Sequence, residues 1–352
     1  MVDKQSNEIP RISIIICCYG GEQTIEACLN GLIHQDLNSS SFEVIIVDDG
    51  SYDNSSEIIT EFIDSKVTSN HANFKYYRKK NEGLSVARNY GLNKSLAEYV
   101  VYIDEDAIAF PDYLSVIVDY FDNNLNINCL GGEVHLYNKE SKFARLIQDS
   151  IFSLYMKNEN SIIGTNMAFR KSFLNNVGGF QPEFTYRGDE TALFEKSKTV
   201  LVKGRAEKMK VIHFQPDNLK AWLQTRFENG FFRMALDFFI EKPAFKIYVS
   251  LMKSASFVSL PFLVVIAIFC FSSYQNISLI IGAFSVVLFF RKFLWNNVLK
   301  NTIKELRRNR NNKTKILDEG FIVFMIVVGE YKSNVGYLKG YFKFRNVAWQ
   351  RS

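Results

Sequence analysis

Two carboxylates separated by one residue follow an apolar run in the first third of the chain. Asp104 and Asp106 come directly after residues 99–103. Side chains two positions apart in an extended segment point the same way, so both carboxylates can converge on one cation. Such an all-oxygen site suits Mg²⁺ or Mn²⁺ and leaves coordination positions for phosphate oxygens. The alternative is structural: the strand runs into an acidic turn before Phe110 and Pro111.

Strand and helix patterns alternate from about residue 12 to about residue 240. Residues 12–18 and 42–47 are nearly continuous apolar runs, which are typical of strands buried on both faces. Helical patterns follow at about 24–34, 55–64 and 84–95. This alternation predicts an α/β domain with a mostly parallel sheet, in which ligands lie beyond the carboxyl ends of the strands. The residues of interest at those ends are Tyr19, Asp48, Asp49, Asp104 and Asp106.

Composition favours a globular protein of a reducing compartment. The chain has 352 residues, of which 47% are hydrophobic and 22% charged, and its net charge is a modest +5. Its five cysteines include no C-x-x-C pair, and its first residues are polar, which predicts free thiols and no signal peptide. We expect no nucleic-acid partner.

The composition changes after about residue 242. Residues 255–271 form an uncharged apolar run near the lower limit for a spanning helix, and residues 277–290 form a second apolar run. Lysine and arginine lie on both outer flanks, which predicts a membrane hairpin with both ends in the cytoplasm. The alternatives are two buried core helices or a re-entrant hairpin.

The segment that follows the second apolar run is basic. Residues 291–315 contain nine Lys or Arg and a single acid, Glu305, with apolar residues at helical spacing. This pattern predicts an amphipathic helix on an anionic leaflet, or alternatively a solvated linker helix. Residues 321–329 are apolar but too short to span, so we predict an interfacial or docking helix. The predicted domains are residues 1–240, 241–292 and 293–352, at the inner (plasma) membrane with the first domain cytoplasmic.

Several ordered motifs together resemble the family 2 glycosyltransferases, which have the nucleotide-sugar-binding GT-A fold. The resemblance covers roughly residues 10–230. The matching segments are V-D-D-G-S-x-D at residues 47–53, N-x-G-x-x-x-A-R-N at 81–89, D-x-D at 104–106, G-T-N-M-A-F-R at 164–170 and an acidic pair at 189–190. The resemblance implies a GT-A domain, followed here by the membrane hairpin and the amphipathic helices.

The resemblance also implies donor-binding roles. Tyr19 would stack on the nucleotide base, and Asp49 or Asp48 would accept a hydrogen bond from the base edge. The alternatives are a rim aromatic for Tyr19 and, for the aspartates, a turn or cap that supports Gly50 and Ser51.

Three further polar residues would contact substrate. Arg88 would reach ribose or diphosphate from the start of a helix, or else form a structural salt bridge, with Asp104 as one partner. Asn166 lies in the acceptor-side segment. Arg226 lies in residues 222–227, which resemble the Q-x-x-R-W helix of processive synthases only faintly, and it would contact diphosphate or form a surface salt bridge.

The metal and the catalytic base complete the predicted site. Asp104 and Asp106 would hold Mn²⁺ or Mg²⁺, and His213 would be a third ligand, a diphosphate contact or a structural histidine. Asp189 and Glu190 are the candidate bases for taking a proton from the acceptor hydroxyl, with Glu190 at the position of the family's base. Alternatively, the pair caps a helix that begins at Thr191.

These features predict a metal-dependent, inverting hexosyltransferase. The donor would be a nucleotide sugar, a UDP-sugar before a GDP-sugar. The acceptor would be a lipid-linked oligosaccharide or a surface polysaccharide near membrane lipids. One alternative is a polyprenyl-phosphate glycosyltransferase; another is a catalytically silent GT-A scaffold, which the intact carboxylates disfavour. A nucleotidyltransferase would need a basic phosphate loop, but the turn at residues 19–22 has no Lys or Arg.

Overall fold

A computed structural model describes residues 9–68, 73–148, 162–240, 246–247, 250–255, 258 and 316–345. These residues fall into two compact units. Of the described residues, 9–138 and 162–215 belong to the first unit, and 139–148 and those after 215 belong to the second. The predicted first domain, 1–240, therefore differs from the structure at both residues 139–148 and residues 216–240.

The first unit is built on one eight-stranded sheet. Its strand order is β3-β2-β1-β4-β7-β6-β8-β5. The strands are β1 (Ile12–Cys18), β2 (Phe42–Asp48), β3 (Asn73–Arg78), β4 (Tyr99–Asp104), β5 (Ala107–Ala109), β6 (Cys129–Leu136), β7 (Asn166–Arg170) and β8 (Lys203–His213).

The first unit also contains helices, and the described elements of the second unit are all helices. The described helices of the first unit are α1 (Ile25–Ile33), α2 (Ser55–Lys66), α3 (Leu84–Lys94), α4 (Tyr113–Asn123), α6 (Lys171–Val177) and α7 (Asp189–Lys196), with a short 3₁₀ turn at Ser39–Ser41. Those of the second unit are α5 (Lys142–Ile147), α8 (Leu219–Phe239) and α9 (Ile316–Phe344).

The first four strands confirm the predicted parallel arrangement. Every residue of β1 and of β2 is buried, as their continuous apolar sequences predict for strands covered on both faces. Strand β1 pairs in parallel with β2 and with β4, so that Cys18 lies opposite Asp48 and Cys17 opposite Asp104. The carboxyl ends of β1, β2 and β4 therefore meet at one edge, where the acidic motifs begin.

The other half of the sheet is mixed. Strand β7 is antiparallel to both β4 and β6, whereas β6 and β8 are parallel. The short strand β5 is antiparallel to β8, and its first residue, Ala107, pairs with His213. This pairing joins the end of the D-x-D turn to the end of β8, although the two are about a hundred residues apart in the chain.

The second unit is a helical assembly in which α8 and α9 touch through their backbones. A Cβ atom added at Gly230 would lie 1.8 Å from the carbonyl oxygen of Ser333, so only glycine fits there. The Tyr337 hydroxyl donates a 2.5 Å hydrogen bond to Asp237, and Trp222 of α8 packs with Ile147 of α5. These contacts explain why residues 139–148 and 216–240 group with α9 rather than with the sheet.

The segments predicted to bind the membrane lie mainly outside the residues that the structure describes. The apolar runs at 255–271 and 277–290 lie outside the described residues, apart from residues 255 and 258, and so does the basic segment 291–315. Within the part of the chain that the structure describes, no helix combines the length and the apolar character needed to cross a bilayer. The predicted docking segment 321–329 falls inside the longer helix α9.

Candidate functional site

Asp48 and Asp49, at the end of β2, are buried and fully engaged with their own chain. Asp48 accepts hydrogen bonds from the Ser51 amide (2.7 Å) and the Tyr76 hydroxyl (2.8 Å). Asp49 accepts from the Gly83 amide (2.8 Å) and pairs with Lys79. Asp48 thus supports the turn at Gly50 and Ser51, as the structural alternative predicts, whereas Asp49 holds the segment that leads into α3. A contact of either carboxylate with a nucleotide base stays a proposal.

Two exposed aromatic rings lie beside this buried pair. Tyr19 follows β1 directly and is 47% exposed. Its ring meets Tyr52 edge to face, with centroids 5.5 Å apart. Such rings present a flat apolar surface on which a base can stack. Tyr19 was predicted here from the sequence; Tyr52 was not, because it occupies the unspecified position of the V-D-D-G-S-x-D motif.

Arg88 connects the two acidic motifs. Its side chain is only 3% exposed. One guanidinium nitrogen donates to Asp104 (3.1 Å), and the other donates to Asp189 in a close buried ion pair. The structure thus shows the structural salt bridge that was the alternative to a diphosphate contact. Arg88 holds a carboxylate of the D-x-D motif and one of the 189–190 pair in fixed positions.

The same helix, α3, fixes the segment that leads to the acidic pair. Ser85 donates to the carbonyl oxygen of Phe184 (2.7 Å), and Asn89 bonds both the amide and the carbonyl of Phe180 (2.8 Å each). The Leu84 amide donates to the carbonyl oxygen of Thr185 (2.7 Å). The N-x-G-x-x-x-A-R-N motif therefore builds a helix face that positions residues 180–189.

Asp104, Asp106 and His213 form a candidate metal site. Their ligand atoms all lie within 4.8 Å of one another. Thr165 donates to Asp104 (2.7 Å), and His213 Nε2 lies 3.1 Å from Asp106, while the buried Nδ1 of His213 has no hydrogen-bond partner. Burial lowers the pKa of His213, but the nearby Asp106 carboxylate outweighs burial and leaves the pKa raised. The two carboxylates fit Mn²⁺ or Mg²⁺, and the imidazole adds one nitrogen ligand.

The two carboxylates of the acidic pair lie in different environments. Asp189 is buried against Arg88, and both acids lie in the first turn of α7, which begins at Asp189 after Gly188. Neither acid is therefore the N-cap of a helix that begins at Thr191. Burial, followed by the charge of Asp189, raises the pKa of Glu190 to about 8. A carboxylate with that pKa is a much stronger base than an ordinary one.

Two predicted substrate contacts have other partners in the structure. Asn166 is buried; it accepts from the Tyr113 hydroxyl (3.0 Å) and donates to the carbonyl oxygens of Glu133 (2.9 Å) and Met209 (3.1 Å). Its side chain thus ties β6, β8 and α4 together instead of facing an acceptor. Arg226 belongs to the second unit, where it forms a 2.9 Å salt bridge with Glu330.

Some site residues had no local sequence signal. Lys79 reaches Asp49 because β2 and β3 pair in parallel and in register. Thr165 reaches Asp104 because β7 is inserted beside β4. Such contacts depend on strand order, which residue spacing along the chain does not encode.

The fold and the acidic site define a GT-A-like α/β domain. The model of the family "Glycosyl transferase family 2" matches residues 13–178, a little under half of the chain. The structure is similar to that of the mannosyltransferase PcManGT from Pyrobaculum calidifontis, solved with GDP-Man and Mn²⁺. The TM-score is 0.55 at 13% identity, over 94% of this chain and 88% of that one, so this likeness concerns the fold.

Two relatives match the domain in sequence. The poly-beta-1,6-N-acetyl-D-glucosamine synthase of Staphylococcus epidermidis is 29% identical over 188 residues, which cover 51% of this chain and 44% of the relative. The glucosyl-dolichyl phosphate glucuronosyltransferase of Haloferax volcanii is 24% identical over 191 residues, covering 51% and 59%. The chain thus spans less than two thirds of the length of either relative.

Proposed function

We propose that this protein is a metal-dependent, inverting glycosyltransferase that moves a sugar from a nucleotide-diphosphate sugar to a saccharide acceptor near a membrane. The observation that supports it best is the link made by Arg88, which holds Asp104 of the candidate metal site and Asp189 beside Glu190. A metal site and a strong base joined by one buried guanidinium are what transfer from an activated donor needs.

The donor end would use Asp104, Asp106 and His213 to hold Mn²⁺ or Mg²⁺. The bound cation would neutralise charge that develops on the nucleoside diphosphate as it leaves. Tyr19 and Tyr52 would stack on the base, and the Asp48–Asp49 turn would support that surface. We infer a UDP-sugar or a GDP-sugar, the latter because the mannosyltransferase of similar fold was solved with GDP-Man and Mn²⁺.

The acceptor end would use Glu190 as the general base. The acceptor hydroxyl oxygen forms a bond to the anomeric carbon while the bond from that carbon to the diphosphate oxygen breaks. The hydroxyl proton passes to Glu190, and the diphosphate leaves with the bonding electrons. One displacement of this kind inverts the anomeric configuration. Asp189 would act by position, since its charge is bound to Arg88.

The membrane setting rests on the apolar runs at residues 255–271 and 277–290 and on the basic segment 291–315. We propose a location at the inner face of the plasma membrane, with the sheet domain in the cytoplasm. Transfer to a polyprenyl phosphate is the second candidate. The relative named for glucosyl-dolichyl phosphate supports the first candidate instead, because in that molecule the lipid phosphate already carries a sugar.

The first experiment measures thermal stabilisation of the purified full chain by UDP, GDP and other nucleoside diphosphates, with and without Mn²⁺. A ligand at about 100 times its Kd adds about 2.7 kcal/mol to the free energy of unfolding. We expect one nucleotide to stabilise the chain, with an effect that requires Mn²⁺. If a folded sample responds to none of them, the silent scaffold replaces this proposal.

A further inference from the structure

Two exposed tyrosines lie near the ends of the segments that form the candidate site. Tyr137 follows β6, is 45% exposed, and donates its amide to the carbonyl oxygen of His213 (3.0 Å). Its ring stacks on Phe214, with centroids 3.8 Å apart and planes at 28°. The ring is thus braced directly beside a candidate metal ligand.

Tyr186 lies in the segment that leads to the proposed general base, Glu190. It is 52% exposed and lies three residues before Asp189, just after the Thr185 carbonyl that α3 holds. The guanidinium of Arg187 lies over its ring, 5.2 Å from the centroid. The segment ends at Asp189, which Arg88 joins to Asp104 of the candidate metal site.

Exposed, braced aromatic rings suit one kind of ligand. A pyranose ring has an apolar face made of C–H groups and a rim of hydroxyls. An aromatic ring offers the matching flat surface at a low entropy cost, because bracing by Phe214 or Arg187 already restricts its motion. A hydroxyl on the rim of a stacked sugar can then meet Glu190.

We propose that Tyr137 and Tyr186 form the acceptor subsite and that its ligand is the pyranose ring of a saccharide. This inference rests on the proposed function and chooses between its two acceptor classes. A lipid phosphate would be recognised by cationic side chains. Arg187 is the one basic residue of the segment 181–190, and it lies over the Tyr186 ring.

The test compares acceptors in transfer assays with the full chain, Mn²⁺ and the nucleotide sugar chosen by thermal stabilisation. The probes are alkyl glucoside, alkyl galactoside and alkyl N-acetylglucosaminide, against a polyprenyl monophosphate in detergent micelles. We expect transfer to a pyranoside. In Tyr137→Ala and Tyr186→Ala the acceptor KM should rise about three- to tenfold, and further in the double variant.

Three comparisons make this test specific. Tyr137→Phe and Tyr186→Phe keep the rings and should keep the acceptor KM, while Leu125→Ala, an exposed apolar truncation after α4, controls for surface change. Mn²⁺-dependent stabilisation by nucleotide should stay at the wild-type level in the Ala variants, because their rings serve the acceptor. If that stabilisation is absent from the wild-type chain, the proposed function fails and this inference fails with it.

Other results would overturn the inference while leaving the proposed function in place. One is an acceptor KM within about twofold of wild type in the double Ala variant. Another is transfer to the polyprenyl phosphate and to no pyranoside. If the Ala variants do not fold, saturation-transfer NMR on the wild-type chain decides: aromatic protons should saturate the C–H protons of the pyranoside, and no transfer from them contradicts the subsite.

Discussion

At the scale of single residues, Arg88 shows how one buried charge can hold two carboxylates from different motifs. A buried guanidinium is costly unless it is paired, and here two carboxylates pair with it. Burial lowers the pKa of Arg88, but the charges of Asp189 and Asp104 raise it by more, so the residue stays cationic. Each carboxylate is then held in position by the same guanidinium.

The first prediction concerns Asp106. Asp106→Asn removes one negative ligand of the candidate metal site but keeps the size of the side chain. We expect kcat/KM to fall by at least about a hundredfold and the Mn²⁺-dependent stabilisation by nucleotide to disappear. Asp112→Asn, an exposed carboxylate just before α4, is the matched control and should behave like wild type. Normal turnover by Asp106→Asn would refute the metal assignment.

The second prediction concerns the pH dependence set by Glu190. A general base must be deprotonated, and the folded-state pKa of Glu190 is about 8. We therefore expect kcat/KM to rise with pH up to about 8 and then to level. Glu190→Gln should lower kcat by about 10²–10⁴ and abolish the rise, with nucleotide binding kept. A flat profile for the wild-type chain between pH 6 and 9 would contradict the role.

The same pKa makes a separate prediction for stability. The pKa of glutamate is 4.5 before folding and about 8 in Glu190, so between these values the folded state holds a proton that the unfolded chain has released. The free energy of unfolding therefore falls as pH rises through this window. Glu190→Gln lacks this loss, so its melting temperature relative to wild type should increase from pH 5 to pH 8. An unchanged difference would show that Glu190 is not buried in this way.

At the scale of elements, the N-terminus of α3 must approach the loop before the base very closely. Gly83 has φ +97°, a conformation that favours glycine, and an added Cβ would lie 2.6 Å from the Cβ of Thr185. Thr185 belongs to the segment that leads to Asp189 and Glu190. A side chain at position 83 would therefore displace the base as well as strain the turn.

The third prediction separates these two effects with a second glycine. Gly178, after α6, has φ +71°, but an added Cβ would meet only the end of Lys196 at 3.4 Å. Gly178→Ala should lower the free energy of unfolding by about 1 kcal/mol and keep activity. Gly83→Ala should cost at least as much and also lower kcat by about 10- to 100-fold, because small displacements of a catalytic group are costly. If the two variants were equally active at a temperature where both are fully folded, the contact between position 83 and Thr185 would have no role in activity.

Residue patterns predicted the first half of the sheet well and the second half less well. Helix α3, predicted at residues 84–95, runs from Leu84 to Lys94. The insertion of β7 between β4 and β6 was not predicted, because strand order depends on pairings between distant segments. Asp104, Asp106 and His213 were predicted as a group, and the structure places their ligand atoms within 4.8 Å of one another. The packing role of Asn166 was not predicted, because its three partners lie on three different elements.

At the scale of the whole molecule, the chain divides where helix packing replaces strand pairing. Residues 139–148 belong to the second unit because α5 packs with α8. The described residues 162–215 belong to the sheet unit again. Helix α8 in turn contacts α9 closely at Gly230. Removing everything after residue 254 would thus take away α9 and leave the packed face of α8 uncovered, which makes simple truncation a poor test of membrane binding.

The fourth prediction uses an internal deletion instead. Residues 259–315 are replaced by about 20 Gly and Ser residues, a flexible linker whose ends lie about 25 Å apart on average. Because α9 is retained, its contacts with α8 can form, while both apolar runs are shortened or removed. We expect the full chain to sediment with membranes and the deletion variant to remain in the supernatant.

A second variant, with the Lys and Arg of 291–315 changed to Gln, should still sediment and resist a wash with 1 M salt, because apolar insertion is not screened by ions. If the deletion variant still sediments, another part of the chain binds the membrane; if the Gln variant is released, the basic segment is the main anchor.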